Sequence, residues 1–154
     1  MTAAIANGGT LYRPRIVREL RDPSGTTLKA YPPEVIRNVP VAAEYLAAIR
    51  AGMHDTTNSP LIVPGFAGTA YSTLRPYALD MAGKTGTAEF EGPRDAKGNL
   101  PTHALFVGYA PYQDPRIAVA IFLFGAGEGS EAAAPIAGEV IRAYLFGAGA
   151  TAVE

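Results

Sequence analysis

Two apolar runs, Thr102–Ala110 and Arg116–Phe124, are separated by little more than the turn-forming stretch Tyr112-Gln113-Asp114-Pro115. A crossover to a parallel neighbour takes about a dozen residues or more, so these runs can pair only as antiparallel strands. A third run, Met81–Phe90, precedes them across the polar connection Gly92–Pro101 and reads as a strand despite Gly83 and Gly86. After the last strand comes a glycine-rich loop, Gly125–Gly129, and then a helix over Glu131–Phe146, with Ser130 placed to cap it and Gly147 to close it. The helix's apolar stripe is Ala133, Ala137, Val140 and Tyr144, flanked by Ile136 and Ile141, and it is expected to cover one face of the sheet. The pattern predicts an α+β fold.

The N-terminal part is more broken. Residues 1–6 read as the end of a helix stopped by Asn7-Gly8-Gly9. Tyr12–Leu20 reads as one strand, Asp22-Pro23-Ser24-Gly25 as a type I turn, and Thr27–Tyr31 as the returning partner, ended by Pro32-Pro33. Arg13, Arg15, Arg18 and Arg21 read as solvated charges on this hairpin. Val41–Met53 is an amphipathic helix with Tyr45, Leu46, Ile49 and Met53 on one face. His54–Asp80 is poorly periodic, with one helical turn near Thr69–Leu74; a loop of such length inside a domain is usually functional. The tail from Ala148 is expected to fray. The division is a peripheral helix tail, hairpin and helix over about 1–53 and a sheet with its C-terminal helix over about 81–147.

Composition narrows the function. With 48% apolar and 18% charged residues, the 154-residue chain is neither disordered nor supercharged. A net charge of −1 leaves no basic excess for a phosphate backbone, so nucleic acid is not an expected partner. No cysteine is present, which removes disulfides, thiolate metal sites and cysteine nucleophiles. The two histidines, His54 and His103, lie far apart in sequence, and no metal or organic cofactor is expected. The longest apolar stretch, Ile117–Phe124, is far short of the roughly 18 residues of a membrane span, so no membrane contact is expected of this segment. Met1–Ala6 lacks the basic start of a signal peptide.

Gly83-Lys84-Thr85-Gly86-Thr87 carries the chemistry. Ala78–Thr85 has the spacing of a phosphate loop with Ala78 in place of the first glycine. Its loop would hold Asp80 where phosphate must sit, and Gly86, Gly92 and Pro93 leave no helix to follow. The competing reading is a strand lining an acyl-transfer site. Alternation puts Lys84 and Gly86 on one face and Thr85 and Thr87 on the other. Gly86 would let a peptide backbone lie against the strand, Lys84 would supply positive charge, and Thr85 and Thr87 would offer hydroxyls to a substrate carboxylate. The Thr87 amide could serve as an oxyanion donor. Gly125-Ala126-Gly127-Glu128-Gly129-Ser130 resembles a dinucleotide loop only superficially, because Ser130 replaces the third glycine and Glu128 would face pyrophosphate.

Met81-Ala82-Gly83-Lys84-Thr85-Gly86-Thr87-Ala88-Glu89, His103–Pro111, Ile117–Ile121 and Ala133–Ile141 closely resemble the C-terminal part of penicillin-binding protein transpeptidase domains. Ala3–Tyr12, Pro14–Val17 and Gly68-Thr69-Ala70 fit the same family in the same order, and the match points to its class B, monofunctional members. The resemblance implies a five-stranded sheet, three strands of it from this chain, and D,D-transpeptidation of peptidoglycan stem peptides ending in D-Ala-D-Ala, with β-lactams as mimics. It implies that Lys84 acts catalytically and that Thr85, Gly86 and Thr87 bind substrate, on the extracytoplasmic side of a bacterial cytoplasmic membrane. His103 falls where the family commonly has histidine, in a structural hydrogen-bonding role. The family also needs Ser-x-x-Lys and Ser-x-Asn. Among Ser24, Ser59, Ser72 and Ser130, only Ser72 has a basic residue three positions on, and Arg75 cannot act as a base. The nucleophile is therefore expected in a missing N-terminal part of the same domain. The chain alone should be inactive and should expose apolar surface along the 116–124 strand edge and under the C-terminal helix. A non-catalytic peptide- or partner-binding module is the alternative. Because Asp80 and Glu128 stand where phosphate would bind, calorimetric titration with ATP·Mg or NAD is expected to be flat; micromolar binding of either would restore a nucleotide reading.

Overall fold

The computed structural model describes residues 1–147. The expectation for the tail from Ala148 lies outside the described residues. Helix α1 (Thr2–Ala6) ends at Asn7, and the chain turns through Gly8 and Gly9, both at positive φ. Four short strands follow, β1 (Thr10–Tyr12), β2 (Glu19–Arg21), β3 (Thr27–Ala30) and β4 (Val35–Asn38). Then come α2 (Ala43–Asn58), α3 (Tyr71–Leu74) and a 3-10 turn at Arg75–Tyr77. Strands β5 (Ala82–Glu89), β6 (Thr102–Ala110) and β7 (Ile117–Leu123) form an antiparallel sheet in the order β5-β6-β7. A π-turn at Gly129–Ala133 leads into α4 (Ala134–Phe146). The α+β architecture and the three core strands are as the sequence predicts.

Five local expectations are revised. The run Tyr12–Leu20 is not one strand: β1 pairs with β4 and β2 with β3, as two separate ribbons. Pro14 has no amide proton for a continuous ladder, and the chain after Pro33 returns to pair with β1. The turn itself forms, with the Gly25 N–H donating to the Asp22 carbonyl at 3.0 Å and Gly25 at φ +90°. Arg18 and Arg21 flank Glu19 and hold its carboxyl below the usual range.

Helix α2 runs past Met53 to Asn58. His54–Asn58 are poor helix formers, and tertiary bonds override that preference. The Thr57 hydroxyl and the Asn58 amide both donate to the Met81 carbonyl, at 2.7 and 2.6 Å. Of the four residues assigned to its buried face, Leu46 and Met53 are buried while Tyr45 and Ile49 are exposed.

At the other end, Ser130 does not cap α4, which starts from a π-turn without a side-chain cap and has Pro135 in its first turn. Its buried stripe is Ala133, Ala134, Ala137 and Ile141, whereas Ile136, Val140 and Tyr144 are exposed. Small alanines let the helix lie close to the sheet, which rotates the larger residues outward. Gly147, at φ +96°, closes the helix as expected.

The sheet is packed on one face along all three strands and on the other only in part, with Ala118, Ala120 and Phe122 of β7 exposed there. On one, Met81, Ala104, Phe106, Ala110 and Val119 pack with Leu74, Leu79 and the buried stripe of α4. On the other, Ala82 and Tyr109 pack with Ala6 of α1 and Met53 of α2. Burial pushes the Tyr109 phenol up, and Arg50 Nε donates to its oxygen at 3.2 Å while the Arg50 guanidinium also donates to the Tyr112 carbonyl at 2.8 Å. Phe122 in β7 and Phe124 just past it are exposed, as expected of the 116–124 strand. The expectation of open surface under the C-terminal helix is corrected: Ala133, Ala134, Ala137 and Ile141 bury the sheet there, and the exposed Ile136, Val140 and Tyr144 lie on the outer side of α4.

Gly83 and Gly108 are cross-strand partners, and the fully buried Phe106 ring lies over both. A Cβ at Gly83 would overlap this ring. Gly83→Ala is therefore expected to destabilise the chain by about 1–3 kcal/mol through overpacking. Chemical denaturation checks it, and an unchanged midpoint would contradict the packing.

Candidate functional site

Strand β5 carries Lys84, Thr85, Gly86 and Thr87 at the edge of the sheet, hydrogen-bonded to β6 on one side only. The alternation read from sequence holds. Lys84 pairs with Val107, and both line a groove of about 440 Å3 whose walls include Ile5 of α1 and Ile49, Met53 and Thr56 of α2. The Lys84 ammonium donates to the Thr85 carbonyl at 2.7 Å. The side chain therefore runs along an apolar wall and keeps its charge at the strand, an arrangement suited to an aliphatic stem with a cationic head.

Thr85 and Thr87 project to the opposite face, where α3 and the π-turn approach. The Thr85 and Thr69 hydroxyls share a hydrogen bond of 2.9 Å. The Thr87 hydroxyl donates to Glu128 Oε2 at 2.7 Å and accepts the Gly129 N–H at 3.4 Å. The structure thus brings the two threonines together with Thr69 and Glu128, and it sets Lys84 apart on the groove side.

The four glycines around the site are not equivalent. Gly83 and Gly108 make room for Phe106, and a Cβ on Gly108 would lie 2.8 Å from that ring. Gly129 is buried, and a Cβ there would overlap the carbonyls of Gly86 and Leu105. At Gly86 an added Cβ would meet only the Leu105 side chain, at 3.3 Å. Packing demands the first three, but it does not demand a glycine at Gly86.

Second-row contacts hold the strand in place. The Met81 carbonyl is fixed by Thr57 and Asn58, and His54 Nε2 lies 3.1 Å from Asp80 Oδ1. His103 is structural, as expected. Its ring stacks on Phe90 with centroids 4.2 Å apart, and its Nδ1 accepts the Gly125 N–H at 3.1 Å, which fixes the imidazole and the start of the glycine-rich loop. Among the described residues no group of three or more His, Asp or Glu side chains could hold a metal ion.

Sequence reasoning did not find Glu128, Thr57 or Asn58. Glu128 was visible only as an obstacle to phosphate, and its partner is 41 residues away. The signal for Thr57 and Asn58 was a polar run that reads as loop by local propensity.

The profile of the penicillin-binding protein transpeptidase domain matches residues 1–142. Peptidoglycan D,D-transpeptidase PbpA of Mycolicibacterium smegmatis is 32% identical over 94% of this chain and 28% of its own length. Peptidoglycan D,D-transpeptidase MrdA of Haemophilus influenzae is 30% identical over 94% of this chain and 22% of its own length. Among solved structures, Pseudomonas aeruginosa PBP2 in complex with WCK 5153 superposes with a TM-score of 0.71 at 29% identity, covering 99% of this chain and 30% of that one. The ceftriaxone acyl-enzyme complex of penicillin-binding protein A from M. tuberculosis gives 0.66 at 27% identity, covering 94% and 30%. The chain therefore spans less than a third of each of these proteins.

Gly129→Ala is expected to cost about 1–3 kcal/mol, because its Cβ meets backbone that cannot yield, whereas Gly86→Ala should stay within about 1 kcal/mol of the parent, since its contact with the Leu105 Cβ asks for a shift of only a few tenths of an ångström. Denaturation midpoints of the two variants check the contrast, and equal losses would refute it.

Proposed function

This chain belongs to the penicillin-binding protein transpeptidase family, and from that premise we propose that it forms one wall of a serine D,D-transpeptidase active site, the C-terminal part of the domain over residues 1–154. The nucleophilic serine comes from sequence outside the chain, since no serine here is followed by the lysine that would activate it. The same outside sequence would bring the remaining two strands of the sheet. The single observation that carries the reading is the open β5 edge with Lys84 in its groove and Gly86 unfilled although packing does not require a glycine there.

In the complete domain a serine attacks the carbonyl of the D-Ala-D-Ala bond, terminal D-Ala leaves, and the acyl-enzyme is resolved by an amine of a neighbouring stem peptide. Lys84 would orient the serine of the Ser-x-Asn motif and draw in the terminal carboxylate. Gly86 would admit the substrate backbone, Thr85 and Thr87 would bind the carboxylate, and the Thr87 amide would stabilise the tetrahedral oxyanion. β-Lactams would acylate the same serine. The site would face the extracytoplasmic side of the membrane, where the stem peptides are.

Incubating this chain alone with excess penicillin should leave its intact mass unchanged. In the full-length protein, Lys84→Ala should cut acylation by about 10- to 100-fold, the worth of one charge-assisted contact, and by more if the lysine also governs proton transfer. The melting temperature should hold, because exposed substitutions usually shift stability by less than about 0.5 kcal/mol. A stoichiometric adduct on this chain alone, or an unchanged acylation rate in Lys84→Ala, would overturn the assignment.

A further inference from the structure

A threonine has one hydroxyl proton to give, and the fold commits that of Thr87 to Glu128 Oε2 at 2.7 Å. The oxygen's acceptor side is turned to the Gly129 N–H at 3.4 Å. Thr85 is placed differently. Its partner is the neutral Thr69 hydroxyl, so this pair holds two protons and uses one between them, leaving one for an incoming anion. The two threonines on this face are therefore unequal: Thr85 is ready for a carboxylate, and Thr87 is occupied by one.

Glu128 is held at its root and free at its tip. Gly129 beside it is buried against the backbone of Gly86 and Leu105, which sets where the loop passes the strand. The Glu128 side chain itself is exposed and can leave Thr87 by rotating into water. We propose that Glu128 is an internal competitor for the substrate carboxylate and a determinant of ligand selectivity. A ligand bearing a carboxylate must displace it and approach a like charge, while a neutral ligand need not. This rests on the reading that Thr87 binds the substrate carboxylate.

Glu128→Gln tests it in the full-length protein. The amide keeps an oxygen for Thr87, removes the charge and adds an N–H donor. The second-order acylation rate with a carboxylate-bearing β-lactam is expected to rise roughly 3- to 10-fold, while that with the methyl ester of the same β-lactam changes by less than about twofold, consistent with one exposed charge-assisted contact. Glu128→Ala should move the carboxylate-to-ester ratio in the same direction, with an unchanged melting temperature in both variants. A purely structural role would alter both ligands alike. An unchanged or lower ratio in both variants, with the parent protein still acylated, overturns the proposal alone. A parent protein that neither ligand acylates overturns the transpeptidase reading and this proposal with it.

Discussion

The Phe106 ring lying across Gly83 and Gly108 is the contact on which the rest depends. It locks β5 and β6 in one register, because only a pair of facing glycines leaves room for a buried aromatic ring there. A slip of one residue would exchange the two faces of β5. Lys84 would then point toward Thr69 and the π-turn and Thr85 toward α2, which would undo the arrangement of side chains on the strand. The first glycine of Gly83-Lys84-Thr85-Gly86 is thus a packing residue that fixes the chemistry of its neighbours.

The second constraint is polar. The carbonyl of Met81, just before β5, receives donors from both Thr57 and Asn58 at the end of α2. Thr57 is buried, and its hydroxyl also lies 3.0 Å from the His54 carbonyl while accepting from the Asn58 amide at 2.8 Å, so the last turn of α2 and the start of β5 share one polar cluster. Arg50 makes a parallel tie from the middle of α2 to Tyr109 and Tyr112. These ties hold α2 at a fixed distance from β5, and that distance defines the groove in which Lys84 lies.

The sheet was legible because its cause is local. Apolar runs with short turns between them admit one pairing, and period-2 alternation sorted Lys84 and Gly86 from Thr85 and Thr87. The family itself was legible from the motifs along β5 to α4. What sequence could not reach depends on contacts between distant residues. Thr57 and Asn58 look like loop because their helix is stabilised by Met81, 24 and 23 residues away. β4 looks like a connection because its partner β1 lies on the far side of another hairpin. The buried stripe of α4 was misplaced because periodicity weights large residues, while close approach to a sheet favours Ala133, Ala134 and Ala137. Glu128 was read only as an obstacle to phosphate because its contact with Thr87 lies 41 residues away, outside its own loop.

These contacts have one property in common. The described partners that orient Lys84, Thr85 and Thr87 are supplied by this chain: Val107 and α2 on one face, Thr69 and Glu128 on the other. On the proposed reading, the wall would be organised before the nucleophile joins it, and the rotamer and backbone entropy of Lys84, Thr85 and Thr87 would be spent in folding rather than at the moment of reaction. Among the described residues, apolar side chains remain exposed at Phe122, Phe124 and the outer residues of α4. If the rest of the proposed domain covers them, their burial would add a favourable hydrophobic term away from the polar contacts at β5, so assembly and recognition would be driven by separate parts of the chain.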